Sequence, residues 1–191
     1  MLVNGNWTED WQPVQAKDSE GRFVRQTSSF RNWITPDGSP GPTGTGGFRA
    51  EAGRYRLYVA LICPWASRTL IARKLKGLKN LVSVTVVNPV LTKQGWAFGG
   101  YPGSDTDPLH GAEHLHQLYS RADAAFTGRA TVPVLWDMAT DTMVSNESAD
   151  IVRMFNTAFA DLVPGKPDLY PADIAADIDV LNAEVYDRLN N

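Results

Sequence analysis

An α/β domain of the thioredoxin-like kind, followed by the beginning of an all-helical domain, is the fold class this sequence predicts. Three observations lead there. A strand–helix–strand run occupies residues 54–87. A proline-bearing strand, a short partner strand and a helix follow from residue 131. A lone amphipathic stripe, Ile174, Ile178, Leu181, Val185 and Leu189, then runs to the end of the chain. The order βαβ, then α, then ββα is the thioredoxin arrangement.

The first strand is Arg54-Tyr55-Arg56-Leu57-Tyr58-Val59-Ala60-Leu61-Ile62, whose aromatic and branched residues become continuously apolar toward its end. Cys63-Pro64 breaks it, and Pro64 suits a first helical turn, where its missing N–H is not needed. Ala66, Leu70, Ile71, Leu75 and Leu78 then recur at helical spacing, with Gly77 marking the stop. Leu81–Val87 is the second strand, parallel to the first through a right-handed crossover. The connection 88–131 holds a helix near Gly111–Ala124, with Leu115, Leu118 and Tyr119 facing inward. In Thr131–Asp137, Pro133 implies an edge or bulge position, or a cis peptide. Met143-Val144-Ser145 is a hairpin partner. A helix follows from Asn146-Glu147-Ser148, with Ile151, Val152 and Phe155 buried.

These elements divide the chain into an N-terminal arm at 1–50, a thioredoxin-like domain at 51–163, and a linker with the first helix of a helical domain at 164–191. The arm is rich in turn formers without sustained period, and reads as flexible and surface-lying. Its run Asp37–Gly47 lacks the spacings of a phosphate-binding glycine loop. The last stripe steps by four, three, four and four, an amphipathic helix with a defined apolar face. Asn190-Asn191 can cap it, yet a lone helix whose apolar face has no successor is expected to be a second domain cut short.

At 191 residues, 43% hydrophobic with six tryptophans, the chain can bury a core. A net charge of −3 and the lack of a Lys/Arg run argue against nucleic acid as a partner. No apolar run reaches membrane length, and Met1–Asn6 has no basic, apolar leader pattern. A cytoplasmic enzyme without membrane contact is expected. His110, His114 and His116 cluster, with 110 and 114 on one helix face. With no cysteine or spaced carboxylate beside them they read as solvent-facing, and no metal is expected.

The chemistry centres on the only cysteine, Cys63. At a strand-to-helix junction, backbone N–H groups and the positive helix end face its sulfur and favour the reactive thiolate. Cys63-Pro64-Trp65-Ala66 has the shape of a redox motif with Ala66 where a dithiol enzyme keeps its second cysteine. A lone thiolate attacking sulfur ends as a mixed disulfide that no protein thiol resolves. The second thiol must come from solution, and glutathione is the abundant cytosolic choice. Val132, before Pro133, supplies a backbone edge for an extended tripeptide. Ser148 at a helix start can hold a carboxylate, Glu147 an α-amino group, and Arg129 the glycyl carboxylate.

Four segments carry a family resemblance: Cys63-Pro64-Trp65-Ala66-Ser67-Arg68-Thr69, Lys93-Gln94-Gly95-Trp96-Ala97-Phe98, Thr131-Val132-Pro133-Val134-Leu135-Trp136-Asp137 and Asn146-Glu147-Ser148. In these the sequence resembles the glutathionyl-hydroquinone reductases, the Xi class of glutathione transferases, and the likeness runs over nearly the whole chain. The resemblance implies glutathione as co-substrate and glutathionyl-hydroquinones as substrates. It makes Cys63 the nucleophile, Trp96, Arg129, Thr131, Val132, Glu147 and Ser148 the lining of the glutathione site, and Pro133 a cis-proline. The family pattern continues past Asn191 into a helical domain that carries a catalytic tyrosine, to which Tyr186 does not correspond, and dimer contacts. The chain therefore resembles a truncated member, with a homodimer implied for a full-length relative. Two alternatives stay open: an Omega-like general thiol transferase or dehydroascorbate reductase, and a glutathione-binding fragment impaired in turnover.

Overall fold

The computed structural model describes residues 1–9 and 27–189. A short hairpin of β1 (Leu2–Val3) and β2 (Asn6–Trp7) comes first. Then follow β3 (Tyr55–Val59), α1 (Pro64–Leu75), a 3-10 turn at Leu78–Asn80, β4 (Val82–Val86), α2 (His116–Ala122), β5 (Val134–Asp137), β6 (Thr142–Ser145), α3 (Ser148–Thr157) and α4 (Ala175–Leu189). The main sheet has the order β4-β3-β5-β6, with β3 and β4 parallel and the other pairs antiparallel. This is the expected thioredoxin-like topology. α1 packs on α3, and α2 against β6. Tyr55, Leu57, Tyr58 and Val59 of β3 and Val134, Leu135 and Trp136 of β5 are fully buried. Covered on both faces, a central strand reads as a continuous apolar run rather than an alternating one.

Several sequence expectations need correction. β3 stops at Val59, and Leu61 and Ile62 lie in the following turn, 60% and 62% exposed. The Cys63 N–H closes that turn on the Ala60 carbonyl at 3.0 Å, ending the strand before its apolar run ends. β5 is an interior strand, not an edge; of the readings of Pro133, the cis peptide is the one found, at Val132–Pro133, and pairing starts at Val134, so the missing proline N–H costs no ladder bond. α1 buries Ala66, Thr69 and Ala72, whereas Ile71 and Leu75 are exposed. The helix meets the protein through these small side chains and Leu70, while Ile71 and Leu75 point away. α3 buries Ile151 and Phe155 as expected, with Met154 where Val152 was expected; Val152 is half-buried.

The described parts of the arm are surface-lying only in part: the loop 36–47 is mostly exposed, but other residues anchor the arm to the core. Leu2, Ile34 and Phe48 enter the core. Leu2 and Gly128 exchange backbone hydrogen bonds of 2.9 and 3.0 Å. Beside β6, the Asn32 N–H donates to the Val144 carbonyl and the Asn146 N–H to the Phe30 carbonyl, so the arm covers that sheet edge. The remainder of the arm, residues 10–26, and the expected cap at Asn190-Asn191 lie outside the described residues. α4 has no buried residue; Ile178 and Val185 are half-buried, while Leu181 and Leu189 are exposed. Among the described residues no helix is long and apolar enough to cross a membrane.

Candidate active site

Cys63 is the N-cap residue of α1, in extended conformation, with Pro64 opening the helix. Its carbonyl accepts the Ser67 N–H at 2.9 Å, the first bond of the helix. Its Sγ lies 3.7 Å from the Val132 carbonyl oxygen. The junction of strand and helix therefore sets the sulfur beside the Thr131-Val132-Pro133 segment, 69 residues away in sequence.

Beside this junction lies a cavity of about 670 Å³. Pro64, Trp65 and Arg68 of α1 line it, together with Arg129, Thr131, Val132 and Pro133 before β5, and Glu147, Ser148 and Asp150 at the start of α3. Ser28 and Arg31 of the arm and Val185 and Tyr186 of α4 are also in its wall. Of the expected site residues, Arg129, Thr131, Val132, Pro133, Glu147 and Ser148 thus share one cavity; Cys63 itself does not line it, although the next residue, Pro64, and its Sγ contact, Val132, do. Trp96 is not brought into it; it is half-buried and packs against the core, its carbonyl accepting the Leu115 N–H.

Each wall is held by named partners. Glu147 caps α3, its Oε1 accepting the Ala149 N–H at 3.1 Å and its Oε2 the Ser28 hydroxyl at 2.9 Å. Ser148 Oγ accepts two bonds from Arg68, at 3.0 Å from Nε and 2.6 Å from Nη2. Arg31 forms a two-point ion pair with Asp150. Burial pushes the Asp150 carboxyl up, and the Arg31 bonds partly offset it. The Thr131 edge is pinned by Tyr119, whose hydroxyl donates to the Thr131 carbonyl at 2.8 Å, accepts the Thr131 N–H at 3.1 Å and accepts Asn146 Nδ2 at 3.2 Å. Guanidinium groups and carboxylates thus line the same cavity, an arrangement suited to a zwitterion. Sequence reading missed Ser28, Arg31 and Asp150; Tyr119 was expected inward and Asn146 stood in the Asn146-Glu147-Ser148 segment, but neither was assigned a part in the site. Arg68 stood within the quoted Cys63 motif, but nothing there indicated its partner.

The histidines also need correction. His110 and His114 precede α2 and do not share a helix face. His110 Nε2 bonds Asp141 at 2.6 Å. His116 is buried and stacked on Trp7 at 4.5 Å. Burial, with the neighbouring His114, lowers its pKa to about 4.

This geometry has known counterparts. Residues 62–158 match the glutathione S-transferase N-terminal domain, and the chain belongs to that family. Within it, the chain is 54% identical over its whole length to the glutathionyl-hydroquinone reductase YqjG of Escherichia coli strain K12, spanning 58% of that protein. The glutathione-bound structure of YqjG superposes with a TM-score of 0.87 at 50% identity, over 100% of this chain and 56% of that one. Glutathione transferase Xi of Phanerochaete chrysosporium superposes with a TM-score of 0.82 at 50% identity, over 88% of this chain and 56% of its own. The similarity is thus to the Xi class, as the sequence motifs imply, and the chain spans less than two thirds of the length of these relatives.

Proposed function

We propose that the chain carries the glutathione-dependent half of a glutathionyl-hydroquinone reductase, with Cys63 as nucleophile. The observation that supports this most is the sulfur at the α1 N-cap, 3.7 Å from the Val132 carbonyl, where Val132 lines a cavity together with the Glu147–Ser148 start of α3. The Val132 backbone holds the cysteinyl part of glutathione extended. Ser148 and the α3 N-terminus take the γ-glutamyl carboxylate, Glu147 its α-amino group and Arg129 the glycyl carboxylate. Thr131 lines the same edge, and cis-Pro133 shapes it. Trp96 is assigned to this site by resemblance alone.

In the reaction the Cys63 thiolate attacks the thioether sulfur of a glutathionyl-hydroquinone. A sulfur–sulfur bond forms and the sulfur–ring-carbon bond breaks. Its electron pair stays on the ring carbon, which takes a proton and leaves as hydroquinone. A second glutathione thiolate attacks the Cys63–glutathione disulfide, releasing glutathione disulfide and restoring the Cys63 thiolate. The sum is glutathionyl-hydroquinone plus glutathione giving hydroquinone plus glutathione disulfide. Chromatography of a mixture of protein, glutathione and a glutathionyl-hydroquinone tests this directly. Equal amounts of hydroquinone and glutathione disulfide are expected. Reduction of glutathione mixed disulfides with no hydroquinone released would replace the reductase with a general thiol transferase.

A further inference from the structure

We propose that Arg68 is the positioning residue that makes Ser148 a hydrogen-bond donor to the α-carboxylate of a γ-glutamyl thiol, so that this chain selects thiols bearing that headgroup. The inference rests on the glutathione site described above and goes beyond it, because Arg68 stands outside the set of glutathione contacts.

The geometry is specific. A serine hydroxyl has two acceptor lone pairs and one proton. Arg68 supplies two N–H donors to Ser148 Oγ, at 3.0 and 2.6 Å. With its lone pairs engaged, the hydroxyl has its proton to offer, and a guanidinium drawing on the oxygen makes that proton a stronger donor. Glu147 Oε1 lies 3.6 Å from Nη2, and the guanidinium carbon lies 4.9 Å from the centre of the Trp65 ring. The fork is thus held between an indole face and the start of α3. Burial pushes the Arg68 pKa down, so the cation there gains from a further anion. A lysine would keep the charge but could not present two fixed donors to one oxygen.

The placement also has a metric consequence. Arg68 and Cys63 belong to one helix, Arg68 little more than one turn beyond the cap residue. The group that orients the carboxylate holder and the group that attacks sulfur therefore ride on the same rigid element. A γ-glutamyl headgroup seated on Ser148 presents its sulfur at a fixed reach from Cys63, which shorter or headless thiols do not match.

The test is a selectivity ratio. The rate of mixed-disulfide formation at Cys63 is measured by intact-mass spectrometry with glutathione disulfide and with the disulfide of N-acetyl-cysteinylglycine, which lacks the γ-glutamyl end. Any change in Cys63 reactivity or in folding moves both rates together and cancels in the ratio. In the native chain glutathione disulfide is expected to react faster. Arg68→Ala should cut that preference by about 10- to 100-fold, the effect of losing one charge-assisted hydrogen bond. Arg68→Lys should restore only a minor part. Adding Ser148→Ala to Arg68→Ala should cost little more, because the two act as a unit. An unchanged ratio in both Arg68 variants, or full rescue by lysine, overturns the proposal. No adduct on the native chain with either disulfide would instead overturn the glutathione reading on which it rests.

Discussion

Tyr119→Phe isolates one hydroxyl that connects the core to the site. The ring is fully buried, and the substitution keeps its shape, so no cavity term enters. Lost are the bonds to the Thr131 carbonyl, from the Thr131 N–H and from Asn146 Nδ2. Thr131 is exposed, so water can take over at both its backbone groups; Asn146 is only 8% exposed, and its amide would stay dry. Each of the two exchanged bonds costs about 1 kcal/mol and a buried donor left unpaired about 1–3 kcal/mol, a total of about 3–5 kcal/mol. At about 2–4 °C per kcal/mol for a chain of this size, the melting temperature should fall by roughly 6–20 °C. Circular dichroism melts measure the fall. The rate of glutathione adduct formation, read at a temperature where both proteins are folded, should also drop because the Val132 edge loses its anchor. A melting temperature within a degree or two of the native value would refute the reasoning.

Three further outcomes are expected. Arg54 makes a two-point pair with the fully buried Asp137, at 2.8 and 2.7 Å, and Arg54→Ala should cost about 3–5 kcal/mol by leaving that carboxylate unpaired; denaturant unfolding measures it, and a loss below 1 kcal/mol would contradict it. His116 should titrate near pH 4 by NMR; because its folded pKa is lowered, the stability it contributes is present above about pH 6.5 and lost as pH falls toward 4, and a normal titration near 6.5 would sink this reading. Burial pushes the Tyr55, Tyr58 and Tyr119 hydroxyls up, so these side chains should stay protonated while the protein is folded, with stability falling above about pH 10, where the unfolded chain releases the protons. Tyrosine absorbance that titrates fully near 10 with the fold intact would contradict that.

The order of strands and helices was legible because each strand is a short apolar run bounded by turn residues, and because Cys63-Pro64 supplies a cap and a first-turn proline that open a helix. Glu147 and Ser148 were legible for the same local reason, as the start of a helix after a hairpin. What local pattern cannot carry is which face of an element meets the protein. α1 has apolar residues on more than one side: of the periodic set Ala66, Leu70, Ile71, Leu75 and Leu78, Ala66 and Leu78 are buried and Leu70 packs on the core, whereas Ile71 and Leu75 are exposed and the buried Ala72 lay outside the period. The arm was misread for a related reason. Leu2 pairs with Gly128 and Ile34 with Met154, partners distant in sequence whose proximity leaves no period in it. Likewise Arg68 reads as an exposed helix residue until the fold brings Ser148, 80 residues on, against its guanidinium.

One measurement bears most directly on Cys63 as the glutathione-accepting nucleophile: intact-mass spectrometry of the native chain and of Cys63→Ser after incubation with glutathione disulfide at neutral pH. The native chain is expected to gain one glutathione, lost again on adding excess glutathione, and the serine variant none. A native chain that stays unmodified while unfolded chain is readily labelled would show that the sulfur at the α1 cap is not presented to the cavity as a nucleophile.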